Sequence, residues 1–219
     1  MTDTKTKLLD AALQTLAEHG IAGTSARTIA AAAGVNQALV FYHFGSVDEL
    51  LAAACRNGAE QRLALYRERF TQVSDLSGLL ALARDLHAAE KAAGHLNVLG
   101  QMLAGAQTQP RLAPATAAGL SLWSDELDHV LTRILADSPI SEFIDTGGLA
   151  KAVAAGFVGL ELYEGVDPEG TVGALNALDR LAALAGVLDE LGPILNRAVR
   201  SHLRRVRKRA DGPAANPQA

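Results

Sequence analysis

Residues 34–44 place a glycine, two amides and a run of aromatic rings within a few turns of chain. Gln37 carries an amide that can bond the N6 and N7 edge of adenine in a bidentate way, and Ala38 and Leu39 carry methyl groups of the kind that touch a thymine methyl. Phe41, Tyr42 and His43 follow on the same stretch, and the polar tips of Tyr42 and His43 suit phosphate oxygens. Upstream, Thr24, Ser25 and Arg27 are phosphate donors at the start of a short helix, and Asn36 precedes the Gln37 segment. The chemistry available to this set is recognition of a duplex, not the making or breaking of bonds.

Such a set works only if short helices hold it in place. Thr24 is a suitable N-cap for a helix over 25–33, and Asn36 for one over 37–43. Gly34 stands between them, where a tight turn needs positive φ. Ala30 lies four residues before it, where the two backbones approach closely. Ile29, Ala33, Val35 and Val40 then form the inner face of a helix-turn-helix. An ordinary helical hairpin in an alanine-rich chain is the alternative. Four consecutive aromatic or imidazole residues, Phe41 to Phe44, cannot all face one core. Some must be exposed, and exposed aromatics need a partner. For His43 a purely local role at the helix end is also open.

The remaining pattern is helical throughout. The 219 residues include 42 Ala and 34 Leu, and aromatics are only 4%. Both leading residues are strong helix formers. Runs of Val, Ile, Thr and Tyr at period two are absent, which excludes an all-β fold. A first helix is predicted over 4–19, ended by Gly20. Ser46 caps a long helix over 47–72, with Asp48 and Glu49 in its first turn. Further helices are expected near 76–93, 95–108, 115–136, 146–165, 169–191 and 193–209, and residues 210–219 read as a disordered tail.

Composition excludes several function classes. One cysteine, Cys55, rules out an internal disulfide and a cysteine-rich metal site. It reads as a small buried hydrophobe, with redox sensing as the alternative. No signal sequence is visible, and the longest uncharged stretch, 92–110, carries six polar groups and is no membrane span. The chain therefore reads as soluble and cytoplasmic. No nucleophile–base set, phosphate loop or metal-ligand cluster stands out, so neither an enzyme nor a cofactor or metal protein is expected. The net charge is −4. Residues 1–50 hold three basic and five acidic groups, whereas residues 197–209 hold seven basic groups and no acid. That basic run reads as a solvated helix face, with pairing to the acidic middle region as the alternative.

The segment Gly34-Val35-Asn36-Gln37-Ala38-Leu39-Val40-Phe41-Tyr42-His43-Phe44-Gly45-Ser46-Val47-Asp48-Glu49-Leu50 resembles the recognition-helix region of the TetR family of bacterial transcriptional regulators. Gly20 to Ala30 resembles that family's entry into its second helix. The resemblance covers about residues 5–55. It departs at two places: the family's usual tyrosine falls on Phe41, and its usual lysine at the start of the fourth helix is Val47. It implies an all-α fold, with a three-helix DNA-binding domain over 1–50 and a larger ligand-binding and dimerisation domain over 51–209. It implies a homodimer on double-stranded operator DNA, released by a small-molecule effector, with no membrane partner. A helical adaptor without DNA binding is the alternative.

With residues 92–124 holding one charge, an effector site would be mostly apolar. His87, Gln101, Met102, Trp123, Phe157 and Tyr163 are the candidate lining, against plain core packing. Leu149, Val153, Gly156 and Leu160 in one helix, and Leu175, Leu178, Leu181 and Ala185 in the next, are the candidate dimer face. Small residues there let backbones approach.

Overall fold

The computed structural model describes residues 3–138, 140–189, 197–199, 201–202 and 204–205, apart from the side chains of Asn97, Ala185, Leu188 and Asp189. Nine α-helices and no strand occur among the described residues. The expected tail over 210–219 and most of the helix expected over 193–209 lie outside them.

Helix α1 runs Thr4–Gly23, with a break at Gly20, whose φ of 66° only glycine adopts at ease. Helix α2 (Ala26–Ala33) begins with Ser25, not Thr24, as N-cap. Ser25 Oγ accepts from the Thr28 N–H, and Thr28 Oγ1 accepts from the Ser25 N–H, closing a capping box. Thr24 instead donates its hydroxyl to Gly20 O at 2.7 Å, tying the α1 break to the turn. Gly34 ends α2 with φ 65°. Helix α3 (Ala38–Phe44) follows, and Asn36 Oδ1 accepts from the Ala38 N–H at 2.8 Å. Ser46 caps α4 (Val47–Gln72), as the sequence predicts.

Leu8, Leu16, Ile29, Val40 and Leu50 lock the first four helices into one buried core. That core does not stop at residue 50. Met102, Leu112 and Ala115 belong to it, on α6 (His95–Thr108), the 110–112 turn and α7 (Ala113–Ile134). A second core joins the C-terminal half of α4 to α5 (Leu76–Ala92), α7 and α8 (Thr146–Glu164) through Leu63, Phe70, Leu82, Leu131 and Ala150. Helix α4 is thus the strut shared by both cores. Its last turn is closed from outside: Arg133 donates to Phe70 O at 2.7 Å, which also accepts from the Val73 N–H, and to Val73 O at 3.0 Å. Helix α9 (Pro168–Asp189) packs over α5 and α8. No single helix among the described residues is long and apolar enough to cross a membrane.

Candidate nucleic-acid interface and effector cavity

The α2–turn–α3 unit presents its outer face free of the rest of the chain. Val40 is fully buried and anchors α3, so the residues on its far side must point outward. Tyr42 is 82% exposed and Phe41 49%. Gln37 and Ala38 are exposed beside them, at the start of α3, and Ser25 and Arg27 are exposed at the start of α2. Two expectations change. Leu39 is half-buried and packs in part against the core, so less of its side chain is open than of Gln37 or Ala38. Thr24 is half-buried with its hydroxyl already donated, which leaves Ser25 and Arg27 as the outward groups. His43 is half-buried and stacks edge-on with Tyr42 at 5.0 Å and Phe44 at 6.3 Å. Lys5 of α1 lies over the Phe44 ring at 5.8 Å, which brings a cation to the end of α3.

Behind this head, α4, α5, α6, α7 and α8 enclose a cavity of about 220 Å³. Met102, Trp123 and Phe157 line it, as the sequence suggests. His87, Gln101 and Tyr163 do not. His87 sits one layer back, edge-on to Phe157 at 5.8 Å. Gln101 faces α1: a Cβ on Gly20 would lie 3.2 Å from its Oε1, a buried oxygen with no hydrogen-bond partner among the described residues. Tyr163 is half-exposed, and its hydroxyl donates to Asp167 at 3.1 Å. The wall also contains groups that spacing does not reveal. Arg62, Glu90 and His95 form its one charged corner, and Cys55 and Gly119 stand where α4 and α7 approach closely. Burial pushes the Cys55 thiol up to about 11, so it is protonated and inert at neutral pH.

The pattern of bacterial regulatory proteins of the tetR family matches residues 8–54. The HTH-type nicotine-responsive transcriptional repressor of Paenarthrobacter nicotinovorans is 26% identical over 168 residues, 76% of this chain and 86% of that protein. An HTH-type transcriptional repressor of Mycobacterium tuberculosis is 52% identical over 46 residues, which are 21% of this chain and 24% of that protein. The fatty acid degradation regulator of Bacillus halodurans superposes with a TM-score of 0.65 at 20% identity, covering 81% of this chain and 96% of that one. Residues 8–54 thus match the N-terminal domain of tetR-family regulators, and the chain is similar to such regulators over most of its length. It is a DNA-binding transcriptional regulator and not an enzyme.

The exposed apolar face lies on α8 and α9, but not where every sequence candidate falls. Leu149 packs into the second core and Val153 lines the cavity, so both turn inward rather than toward a partner. The helical period explains the error: apolar residues on both sides of α8 read as one stripe. Gly156, Leu178 and Leu181 are exposed, Leu160 and Leu175 are half-buried, and the Ala185 side chain lies outside the described residues. Leu162, Val166, Val172, Leu184 and Val187 extend the exposed set.

Two charged groupings remain. His87 faces Glu161 at 2.7 Å through Nδ1 and Glu164 at 2.8 Å through Nε2, and Lys91 also reaches Glu164 at 2.8 Å. Lys91 first, with His87, holds the Glu164 carboxyl below the usual range. Among the described residues this trio is the one grouping whose atoms could hold a metal ion. The carboxylates sit against different nitrogens of one ring, which is the geometry of an ion-pair clamp between α5 and α8. In the basic run, Arg204 donates to both oxygens of Glu142, at 2.8 Å each from Nη2, so at this residue the pairing alternative describes the contact.

Proposed function

We propose that this regulator binds a palindromic operator as a homodimer, acts as a repressor, and is released when a small, mostly apolar effector fills the cavity. The observation that carries the reading is the shared helix α6. Its Val98, Leu99 and Met102 line the cavity, while Gly105 on the same helix receives Ile21 of the head. A Cβ at Gly105 would stand 2.0 Å from Ile21 Cδ1, so the α1 break docks there only because the glycine has no side chain. An effector that shifts α6 shifts the seat of the head. The Gln101 Oε1 beside Gly20 has no hydrogen-bond partner among the described residues.

Gln37 and Ala38 read bases in the major groove, while Ser25, Arg27, Tyr42, His43 and the helix N-termini hold phosphates. Asn36 holds the turn through its cap, and Phe41 packs against the sugar–phosphate wall. The exposed apolar face of α8 and α9 joins two copies in a four-helix contact. A two-fold pair of heads then matches half-sites about one helical turn apart. The nicotine-responsive relative is, by its name, answerable to a small molecule, which supports an effector here without fixing its identity.

A mobility-shift titration on the DNA flanking the protein's own gene tests the reading, with particle mass measured by light scattering. A discrete complex of one dimer on a two-fold sequence is expected. A monomer in solution, or no retarded sequence in a selection from random duplexes, would overturn it.

A further inference from the structure

The cavity wall is apolar except at one corner, and there the hydrogen-bonding capacity is unevenly spent. Glu90, at the end of α5, is 6% exposed. Its Oε1 accepts from the Tyr66 hydroxyl at 2.7 Å, from Arg62 Nε at 2.9 Å and from Arg62 Nη2. Its Oε2 accepts from Arg62 Nε at 3.0 Å and faces His95 Nδ1 at 3.0 Å. A carboxylate offers about four lone-pair sites, so none is left for a ligand. Burial pushes this carboxyl up, but the hydrogen bonds from Arg62 and Tyr66 outweigh it and hold the group below the usual range. It therefore stays an anion that is fully occupied.

The donors are not exhausted. A guanidinium carries five N–H groups, and Arg62 spends those of Nε and Nη2 on Glu90 and Tyr66. Its Nη1 has no hydrogen-bond partner among the described residues, and Arg62 lines the cavity. Of the other polar groups in the wall, which include the Cys55 thiol and the Trp123 indole N–H, the Thr116 hydroxyl is donated to Leu112 O at 3.0 Å. The His95 ring is 44% exposed, so its polarity is shared with water. Arg62 and Glu90 cancel in charge. A cation entering here meets a guanidinium and no free acceptor. An anion must leave water for a corner of no net charge, which costs more than one hydrogen bond returns.

We infer that the effector is a small, mostly apolar molecule whose single polar group is an uncharged hydrogen-bond acceptor, a carbonyl or ether oxygen, seated on Arg62. This rests on the cavity being the effector site. The space supports the size: about 220 Å³ is below the roughly 300–1,000 Å³ of sites for drug-sized ligands. Phe70, Trp123 and Phe157 supply ring faces and edges for an aromatic body.

Trp123 is the single tryptophan of the chain and lies in the wall, so its fluorescence reports occupancy directly. Four compounds of matched size serve as probes: acetophenone, isopropylbenzene, 1-phenylethylamine and benzoate. The full-length protein is titrated with each, and thermal shift follows binding independently. Acetophenone is expected to bind about tenfold tighter than isopropylbenzene, the factor that a hydrogen bond to a charged donor contributes. The amine and the acid are expected to bind more weakly than the hydrocarbon.

The double variant R62M/E90M removes the corner without leaving either charge buried alone. In it the ketone oxygen has no donor, so the hydrocarbon is expected to bind at least as tightly as the ketone. Tighter binding of the amine or the acid would overturn the assignment, as would a ketone advantage that survives in the double variant. Equal binding of all four would overturn it while leaving the cavity as the effector site. No response to any probe, in protein that still retards its operator, would overturn the cavity reading and the assignment with it.

Discussion

The seat of the head on α6 can be taken apart one methyl at a time. Gly105→Ala places a Cβ 2.0 Å from Ile21 Cδ1 and 3.2 Å from Leu112 Cδ1. Carbon atoms rest at about 3.5–4.0 Å, so Ile21 must retreat by well over an ångström. Overpacking of this kind costs about 1–3 kcal/mol. Alanine in place of glycine inside a helix returns about 1 kcal/mol. The variant should therefore lose about 0–2 kcal/mol. Ile21→Val deletes the Cδ1 atom that collides; for a half-buried side chain this should cost under about 1 kcal/mol. The next carbon, Cγ1, stands 3.4 Å from the new Cβ and needs only a small adjustment. The double variant should thus regain wild-type stability to within about 1 kcal/mol, a coupling of about 1–3 kcal/mol between the two sites. Urea denaturation of the four proteins gives the cycle. Operator titrations with and without effector should show the coupling again, with G105A weakened in DNA binding or in release and the double variant restored. If G105A is stabilised by about 1 kcal/mol and the two changes add, Ile21 does not sit in the glycine groove and the account of the hinge is wrong.

Arg62→Met leaves Glu90 buried without its main partner and should cost about 3–5 kcal/mol at neutral pH. The pH dependence has a definite sign. With its folded pKa lowered, Glu90 contributes stability above its ordinary value of 4.5 that is lost as pH falls through the folded value. In R62M that contribution is gone, so the melting temperatures of the two proteins should converge on acidification below that value. A constant gap would show that Glu90 is not the titrating group. Gln37→Ala should relax discrimination at one base pair per half-site by about 1–3 kcal/mol, and equal loss across all operator variants would remove Gln37 from base reading. Leu181, 62% exposed on α9, should be essential to pairing: Leu181→Glu is expected to give monomers by light scattering and to abolish operator binding, and an intact dimer would move the interface elsewhere.

Much of the head was legible because short-range chemistry fixes it. The glycine at 34, the buried Val40 and the Ser46 cap act over a few residues, and their spacing determines α3 and the start of α4. The first cap was misplaced by one residue because Thr24 and Ser25 both suit an N-cap. Only the backbone decides that Ser25 takes it and that Thr24 turns back to Gly20. The Arg62–Glu90 corner was not legible. Arg62 and Glu90 are 28 residues apart on different helices, and neither stands in any periodic pattern that marks it as buried. The same holds for Val153 and Leu149. On a helix apolar over most of its surface, the period does not tell the cavity side from the partner side; the packing of α7 against α8 does.

The placement of α6 also limits what any effector can accomplish. A ligand shifts an equilibrium only by the difference in its affinity for the two states. Contacts with Phe157 alone would tighten binding without discriminating, because the groove that receives Ile21 at the α1 break lies on α6. On the proposed coupling, discrimination comes from Val98, Leu99 and Met102, which share α6 with the Gly105 groove that receives Ile21. The proposed donor corner is useful to this end because His95, the first residue of α6, faces Glu90 across it. A head group held on Arg62 fixes one end of the effector at α4, and the apolar body then bears on α6. On the proposed reading, affinity is set by the anchor and the ring faces, and release by how far the body reaches along that one helix.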